Sequence, residues 1–250
     1  LPILAALALA NIGYHAAVLA GDAPRAERAL RTAVWSLVVL YTLKGGLLTP
    51  IFTGNALREL GRGDQARFVM PLEALALALL LALAAADVLA AGSALTGALA
   101  AACVLVHGLR VARWRGWRVA DQPLLPSMHL GFAWLIAAFA LKAAADLAAV
   151  VPPGAWLHAF TVGALGMMML ALMTRVSLRH TGRPIDVAPP AMRVAAAVMF
   201  TAAALRLAAT VHGLPPAAVA IAAALWALAF ALYLLRFARV LVTPSLPRTP

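Results

Sequence analysis

Eight apolar stretches, each close to the length of a membrane-crossing helix, recur along this chain and leave room for little besides short connections. They lie roughly at residues 1–20, 30–49, 68–90, 94–112, 127–150, 154–176, 191–213 and 216–237. A helix needs about 20 apolar residues to cross a hydrocarbon core about 30 Å thick, since each residue rises about 1.5 Å. In lipid the backbone has no water to bond, so its N–H and C=O groups must pair within the segment, which an α-helix achieves. The expectation is an all-α membrane protein: a polytopic bundle of about eight transmembrane helices, forming one domain over residues 1–250. A single soluble core is excluded, because 64% of the residues are hydrophobic and 12% charged, against about half and about a quarter in ordinary soluble domains.

Three connections are very short and carry Gly or Pro: around Gly92, at Pro152, Pro153 and Gly154, and at Gly213, Pro215 and Pro216. Each reads as a tight turn between antiparallel helices. The longer connections, Phe52 to Arg67, Arg113 to Pro126 and Ser177 to Pro190, are polar. Leu1 already lies inside an apolar run without a basic segment before it. The first span is therefore not a cleaved signal peptide, and the chain reads as the C-terminal part of a longer protein.

The net charge is +11, yet the basic residues flank apolar spans, so nucleic acid is not the expected partner. Topology and anionic headgroups explain the charge instead. One side of the expected bundle collects 14 basic residues: Arg58, Arg62, Arg67, Arg110, Arg113, Arg115, Arg118, Arg175, Arg179, Arg183, Arg193, Arg236, Arg239 and Arg248. The other side has Arg25, Arg28 and Arg31, beside Asp22 and Glu27. The basic side is expected to be cytoplasmic, with both ends of this chain inside a bacterial cytoplasmic (inner) membrane. Cys103 is the single cysteine, so an internal disulfide and a Cys-based zinc or iron–sulfur centre are excluded.

The topology sorts six histidines into two levels. His15, His158 and His212 fall at the outer level; His107, His129 and His180 fall at the inner one. Neutral imidazoles from different helices at one depth suit haem iron or copper, although a histidine near a helix end also caps carbonyls or meets headgroups. Lys142 and Asp146 are four apart and share a helix face, so they can neutralise each other. Asp87 and Arg206 fall in the same outer half, and the four groups are expected to form an internal ion-pair network, with structural pairing favoured over a proton path. Glu73 stands apart, near the inner end of the third span. The thioethers of Met167, Met168, Met169 and Met173 would suit Cu(I), but consecutive positions point about 100° apart round a helix, and packing is the expected role. Gly163 and Gly166 allow a neighbouring helix or a flat cofactor to come close, and Gly45, Gly46 and Pro50 are expected to interrupt the second span near its inner end.

Several separated blocks resemble one family of bacterial membrane proteins. They are WLHAFTVGALGMMMLALMTRVSLRHTGRP (Trp156 to Pro184), KGGLLTPIFTGNAL (Lys44 to Leu57), ARWRGWR (Ala112 to Arg118), PLLPSMHLGFAW (Pro123 to Trp134), and Trp226 to Arg236 running into a Pro-rich tail. In this order and spacing they resemble the NnrS family, described as haem- and copper-containing and linked to nitric oxide tolerance. Two features depart from the family pattern. Leu47 stands where members often carry an arginine after the glycine pair, and the early His-x-His-Glu motif of a family with about twelve spans is absent.

The resemblance implies a haem- and copper-binding integral membrane protein of nitric oxide metabolism or nitrosative-stress tolerance. Its implied ligands are His129, His158 and His180, whose surroundings match the family, and His15, in NIGYHAAVLAG, which matches more loosely. Arg175 and Arg183, on either side of His180, are the implied partners of haem propionates, or else mark the membrane boundary. His107 and His212 gain little from the resemblance and are expected to be structural. The implied partners are the lipid bilayer, haem, copper, nitric oxide and an electron donor; catalysis and simple binding both remain open. A small-solute or metal transporter, and an assembly subunit for a membrane metalloenzyme, are the alternatives.

Overall fold

The computed structural model describes residues 1–185 and 189–247. Arg248, counted above with the basic flanks, lies outside the described residues. Eight helices are long and apolar enough to cross a membrane: α1 (Pro2–Leu19), α2 (Ala23–Glu59), α3 (Met70–Leu89), α4 (Ala94–Arg113), α5 (Leu125–Ala148), α6 (Ala155–His180), α7 (Pro190–His212) and α8 (Pro216–Val242). No strand occurs among the described residues, so this is an all-α, polytopic membrane architecture.

Local chemistry explains where the helices begin and end. Proline occupies the first turn of α1, α3, α7 and α8, where its missing N–H would have no intrahelical partner anyway. Gly213, at φ +61°, ends α7 in the left-handed conformation that glycine adopts at least cost. The three short turns fall where expected.

α2 differs from its expected span at both ends. It has 37 residues, or about 55 Å at 1.5 Å per residue, well beyond a hydrocarbon core. Hydropathy marks only the stretch that suits lipid; polar residues carry the helix on into the interface. At its start the Asp22 carboxylate accepts the Arg25 amide at 2.9 Å, capping the first turn, and Arg31 pairs with Glu27 one turn away at 2.6 Å. Near its end the helix also runs through Gly45, Gly46 and Pro50 rather than breaking there. Proline at 50 leaves the Gly46 carbonyl without its usual helical donor. The Arg110 guanidinium supplies one, at 3.3 Å.

The chain groups into two compact units. The first comprises Leu1–Leu48, Arg67–Arg110 and Phe139–Pro153. Its core is built from Val38, Leu80, Leu83, Ala100, Cys103 and Phe139, all essentially closed to solvent. The second comprises Thr49–Ala66, Val111–Ala138 and Gly154–Pro250. Phe132, Leu135, Phe160, Leu170, Met199 and Phe237 fill its interior. Here α6 and α8 are tied by a buried hydrogen bond of 2.6 Å between the Ser177 and Tyr233 hydroxyls. The segment after α8 returns to the end of α6, where the Leu246 amide donates to the Thr181 carbonyl at 3.0 Å.

Candidate functional site

In the second unit His129 stands near the start of α5, half-buried. The Thr53 hydroxyl donates its one proton to the Thr49 carbonyl at 2.8 Å, one helical turn back on α2. At 2.9 Å it must therefore accept from Nε2–H of His129. That assigns the tautomer and leaves the ring's lone pair on Nδ1. Gly116 comes so close that a Cβ there would stand 2.5 Å from Nδ1 and Cε1 and 2.6 Å from Cγ. Near-equal distances to three ring atoms put the glycine over the ring face, clear of the in-plane lone pair. Trp114 closes another side, with ring centroids 6.2 Å apart, and is itself wedged edge-on against Phe132 at 4.7 Å. The segment before α5 is locally strained: Arg115 and Leu124 adopt φ +56° and +68°, values costly for residues with a side chain.

Outside the spans the same segment is clamped by Arg62, which grips Asp121 through both carboxylate oxygens at 2.6 and 2.9 Å and also donates to the Arg118 carbonyl at 3.0 Å. The hydrogen bond from Arg62 holds the Asp121 carboxyl below its usual range.

His158 follows a different logic. Its Nε2 lies 2.8 Å from the Arg206 guanidinium, which also donates to Thr210 at 2.6 Å. Guanidinium has only donors, so Nε2 accepts and the ring proton sits on Nδ1. The lone pair that would meet a metal is already engaged. Immediately beyond, Ala159–Leu165 form a π-helical turn inside α6. One inserted residue rotates the downstream face by about 100°, and Met167 and Met168 there are buried in the core. Gly163 lies within the turn and admits the Trp134 indole, where a Cβ would meet the ring at 2.5 Å; Gly166 similarly admits Met199. The close approaches expected at these glycines are thus made to protein groups.

The other expected site residues are dispersed. His15 and His180 are exposed, His180 as the last residue of α6. The Arg175 guanidinium lies 3.7 Å above the centre of the Phe52 ring, and Arg183 donates to the Thr181 carbonyl at 3.2 Å. No group of three or more His, Cys, Asp or Glu side chains suited to a metal ion occurs among the described residues. A three-donor copper site of these residue types is therefore not preassembled among the described residues.

In the first unit the structure singles out a histidine that sequence reasoning set aside. His107 on α4 is fully buried, and neither ring nitrogen makes a hydrogen bond of ordinary geometry, the Ala76 backbone giving only a weaker polar contact. Its ring lies 5.4 Å from Phe139. One turn along α4, Arg110 is held by Glu73 at 2.7 Å. The Arg110 guanidinium occupies the space a Cβ on Gly46 would need. A buried imidazole with one nitrogen steadied by the Ala76 backbone and the other uncommitted is a side chain that could hold haem iron, were haem bound beside it. His129, with Nε2 already oriented by Thr53, fits the same demand separately. The sequence signal for His107 is weak: one histidine in an apolar helix, three residues before an arginine.

Also in the first unit, Asp87 is completely buried and meets Lys142 at 2.6 Å, the Trp35 indole N–H at 2.9 Å and Arg31 at 3.6 Å. Lys142 in turn meets Asp146 at 2.8 Å, and Thr96 donates to Asp146 at 2.6 Å. The expected network therefore exists around Asp87, Lys142 and Asp146, with Arg31 as its second cation. Arg206 belongs to the second unit, with His158.

A family model described as NnrS protein matches residues 1–245. No match was found among curated proteins or among solved structures.

Proposed function

The chain belongs to the NnrS family, and on that premise we propose that it is a haem-binding integral membrane protein of nitric oxide metabolism or nitrosative-stress tolerance. The nitric oxide link comes with the family resemblance; the residues bear on haem. The observation that carries the proposal is His107. Its ring is fully buried, with one nitrogen in weak contact with the Ala76 backbone and the other unmet, and an unmet buried polar group forfeits about 1–3 kcal/mol, a cost that ligation would offset. His107 and, separately, His129 are the proposed imidazole ligands. Bound haem would supply a redox-active iron with affinity for a diatomic ligand.

The protein's own part is orientation and exclusion of water. Thr53 fixes which nitrogen of His129 presents a lone pair, and Gly116 and Trp114 hold the ring plane. Arg206 keeps His158 committed through Nε2, so in this reading His158 orients rather than ligates. His15 and His180 remain ligand candidates that would need a change of surroundings. Arg175 and Arg183 remain candidates for propionate carboxylates. Copper would require donors to be gathered from beyond the described clusters. The Arg-rich side is proposed to face the cytoplasm from the inner membrane.

The test is an optical spectrum of the purified full-length protein, oxidised and reduced, with metal analysis and added nitric oxide. The expected result is a Soret band that shifts with nitric oxide and loses intensity in His107→Ala or His129→Ala. Thr53→Val should move the reduced band without abolishing it, because it alters ligand orientation alone. Protein that is folded yet colourless after haem supply overturns the proposal. The buried Asp87, Lys142 and Asp146 cluster favours a second reading, a transporter of a small solute, which flux into liposomes would identify.

A further inference from the structure

The second unit contains a cavity of about 790 Å³ where the segment before α5 meets the starts of α5 and α7. Its two ends differ in chemistry. Gln122, Ser127 and Arg193 border the mouth, where both helices begin. Asp121 is there too, but its charge is met by both arms of Arg62. Arg193 makes no ion pair among the described residues. The mouth therefore carries one uncompensated positive charge among the described residues. Leu130, Met167, Ala197 and Phe200 line the depth.

The cavity wall on α7 is a continuous stripe, with Met192, Ala196 and Phe200 along one i, i+4 row and Arg193, Ala197 and Thr201 along the next. From residue 192 to 201 the stripe extends about 14 Å, close to half of a hydrocarbon core of about 30 Å. Ala196 and Ala197 keep it open at its middle. A slot one leaflet deep, polar and cationic at the interface and apolar below, has the shape and charge of a single phospholipid. A soluble anion would leave the apolar depth empty, and a neutral apolar molecule would leave Arg193 unmet.

We propose that this cavity is a binding site for an anionic phospholipid, its headgroup phosphate at Arg193 and one acyl chain along the Met192–Thr201 face of α7. The site is independent of the haem reading and uses none of its residues. An attached lipid would contact the strained segment before α5, which Arg62 clamps through Asp121.

The experiment uses full-length protein stripped of endogenous lipid in neutral detergent and titrated, with native mass spectrometry as readout. The probes are phosphatidylglycerol, phosphatidylethanolamine with the same chains, and inorganic phosphate. The wild type is expected to retain phosphatidylglycerol in preference to phosphatidylethanolamine, and millimolar phosphate is expected not to displace it. Arg193→Gln should weaken phosphatidylglycerol about fivefold, the value of one basic residue near a lipid phosphate, while leaving phosphatidylethanolamine unchanged. Ala197→Phe, which fills the slot, should weaken both lipids; Thr201→Leu, at its far end, provides a milder version should Ala197→Phe fail to fold. Unaltered melting temperatures identify variants that remain folded. Equal retention of the two lipids with no effect of Arg193→Gln overturns the proposal. So does displacement by phosphate alone, or a co-purifying quinone lost on filling the slot while phosphatidylglycerol binding stays intact.

Discussion

Replacing Lys142 by methionine tests whether the charge network within the first unit is a structural requirement. Methionine keeps most of the stem's volume and removes only the ammonium group. Lys142 is the common partner of Asp87 and Asp146, at 2.6 and 2.8 Å, and the three side chains are 4%, 0% and 5% exposed. Water therefore cannot replace the lost cation. Removing one partner of a buried pair costs about 3–5 kcal/mol. Arg31, 3.6 Å from Asp87 and a third exposed, offsets part of this for one carboxylate and nothing for Asp146. The expected loss is about 4 kcal/mol, read from reversible unfolding in mixed micelles at neutral pH. Neutralising the stranded partners with Asp87→Asn and Asp146→Asn in the same chain should restore most of it, since the new amide oxygen at position 87 would still accept from the Trp35 indole. Glu27→Ala is the contrasting control: that pair with Arg31 is largely exposed and should be worth less than about 1 kcal/mol. A Lys142→Met protein within about 1 kcal/mol of the parent, or no recovery in the triple variant, would refute the argument that buried charge must be matched here.

Three further outcomes are expected. Gly116→Ala drives a Cβ into the His129 ring and should cost about 1–3 kcal/mol; combining it with His129→Ala, which vacates the space, should make the double variant more stable than the sum of the singles implies in a thermal-melt cycle. Gly46→Ala should be similarly costly, because it displaces the Arg110 guanidinium and strips the Gly46 carbonyl of the donor that substitutes for the missing Pro50 amide. The Asp121 carboxyl is held below its ordinary value by Arg62, so the clamp contributes above the unfolded-state value of about 3.9 and is lost as pH falls through the lowered folded value. Limited proteolysis of residues 114–124 should therefore stay slow from neutral pH down to that range in the parent, whereas Asp121→Asn should be cleaved faster at neutral pH and converge with the parent once the pH falls below that range.

The eight spans, their short turns at Gly92, Pro153 and Gly213, and the all-α architecture were legible in the sequence because hydropathy and turn chemistry are properties of neighbouring residues. A lipid solvent leaves the backbone few alternatives to helix. The pairing of Lys142 with Asp146 was legible for the same reason, being set by one helix's own periodicity. What required the tertiary structure depended on how each helix is turned about its axis and which neighbour it meets. Hydropathy could not reveal that Arg31 joins Asp87 while Arg206 engages His158, that Arg110 serves the Gly46 carbonyl left without a helical donor where α2 runs through Pro50, or that a π turn re-aims α6. Nor could it distinguish one histidine from another. His15 and His180 emerge exposed, His158 has its lone pair spent, His129 is oriented by Thr53, and His107 is sealed in without a conventional partner. Membrane helices are apolar on nearly every face, so their sequences specify that they span; the rotation that selects which polar atoms meet is decided by small-residue contacts and hydrogen bonds made only on packing.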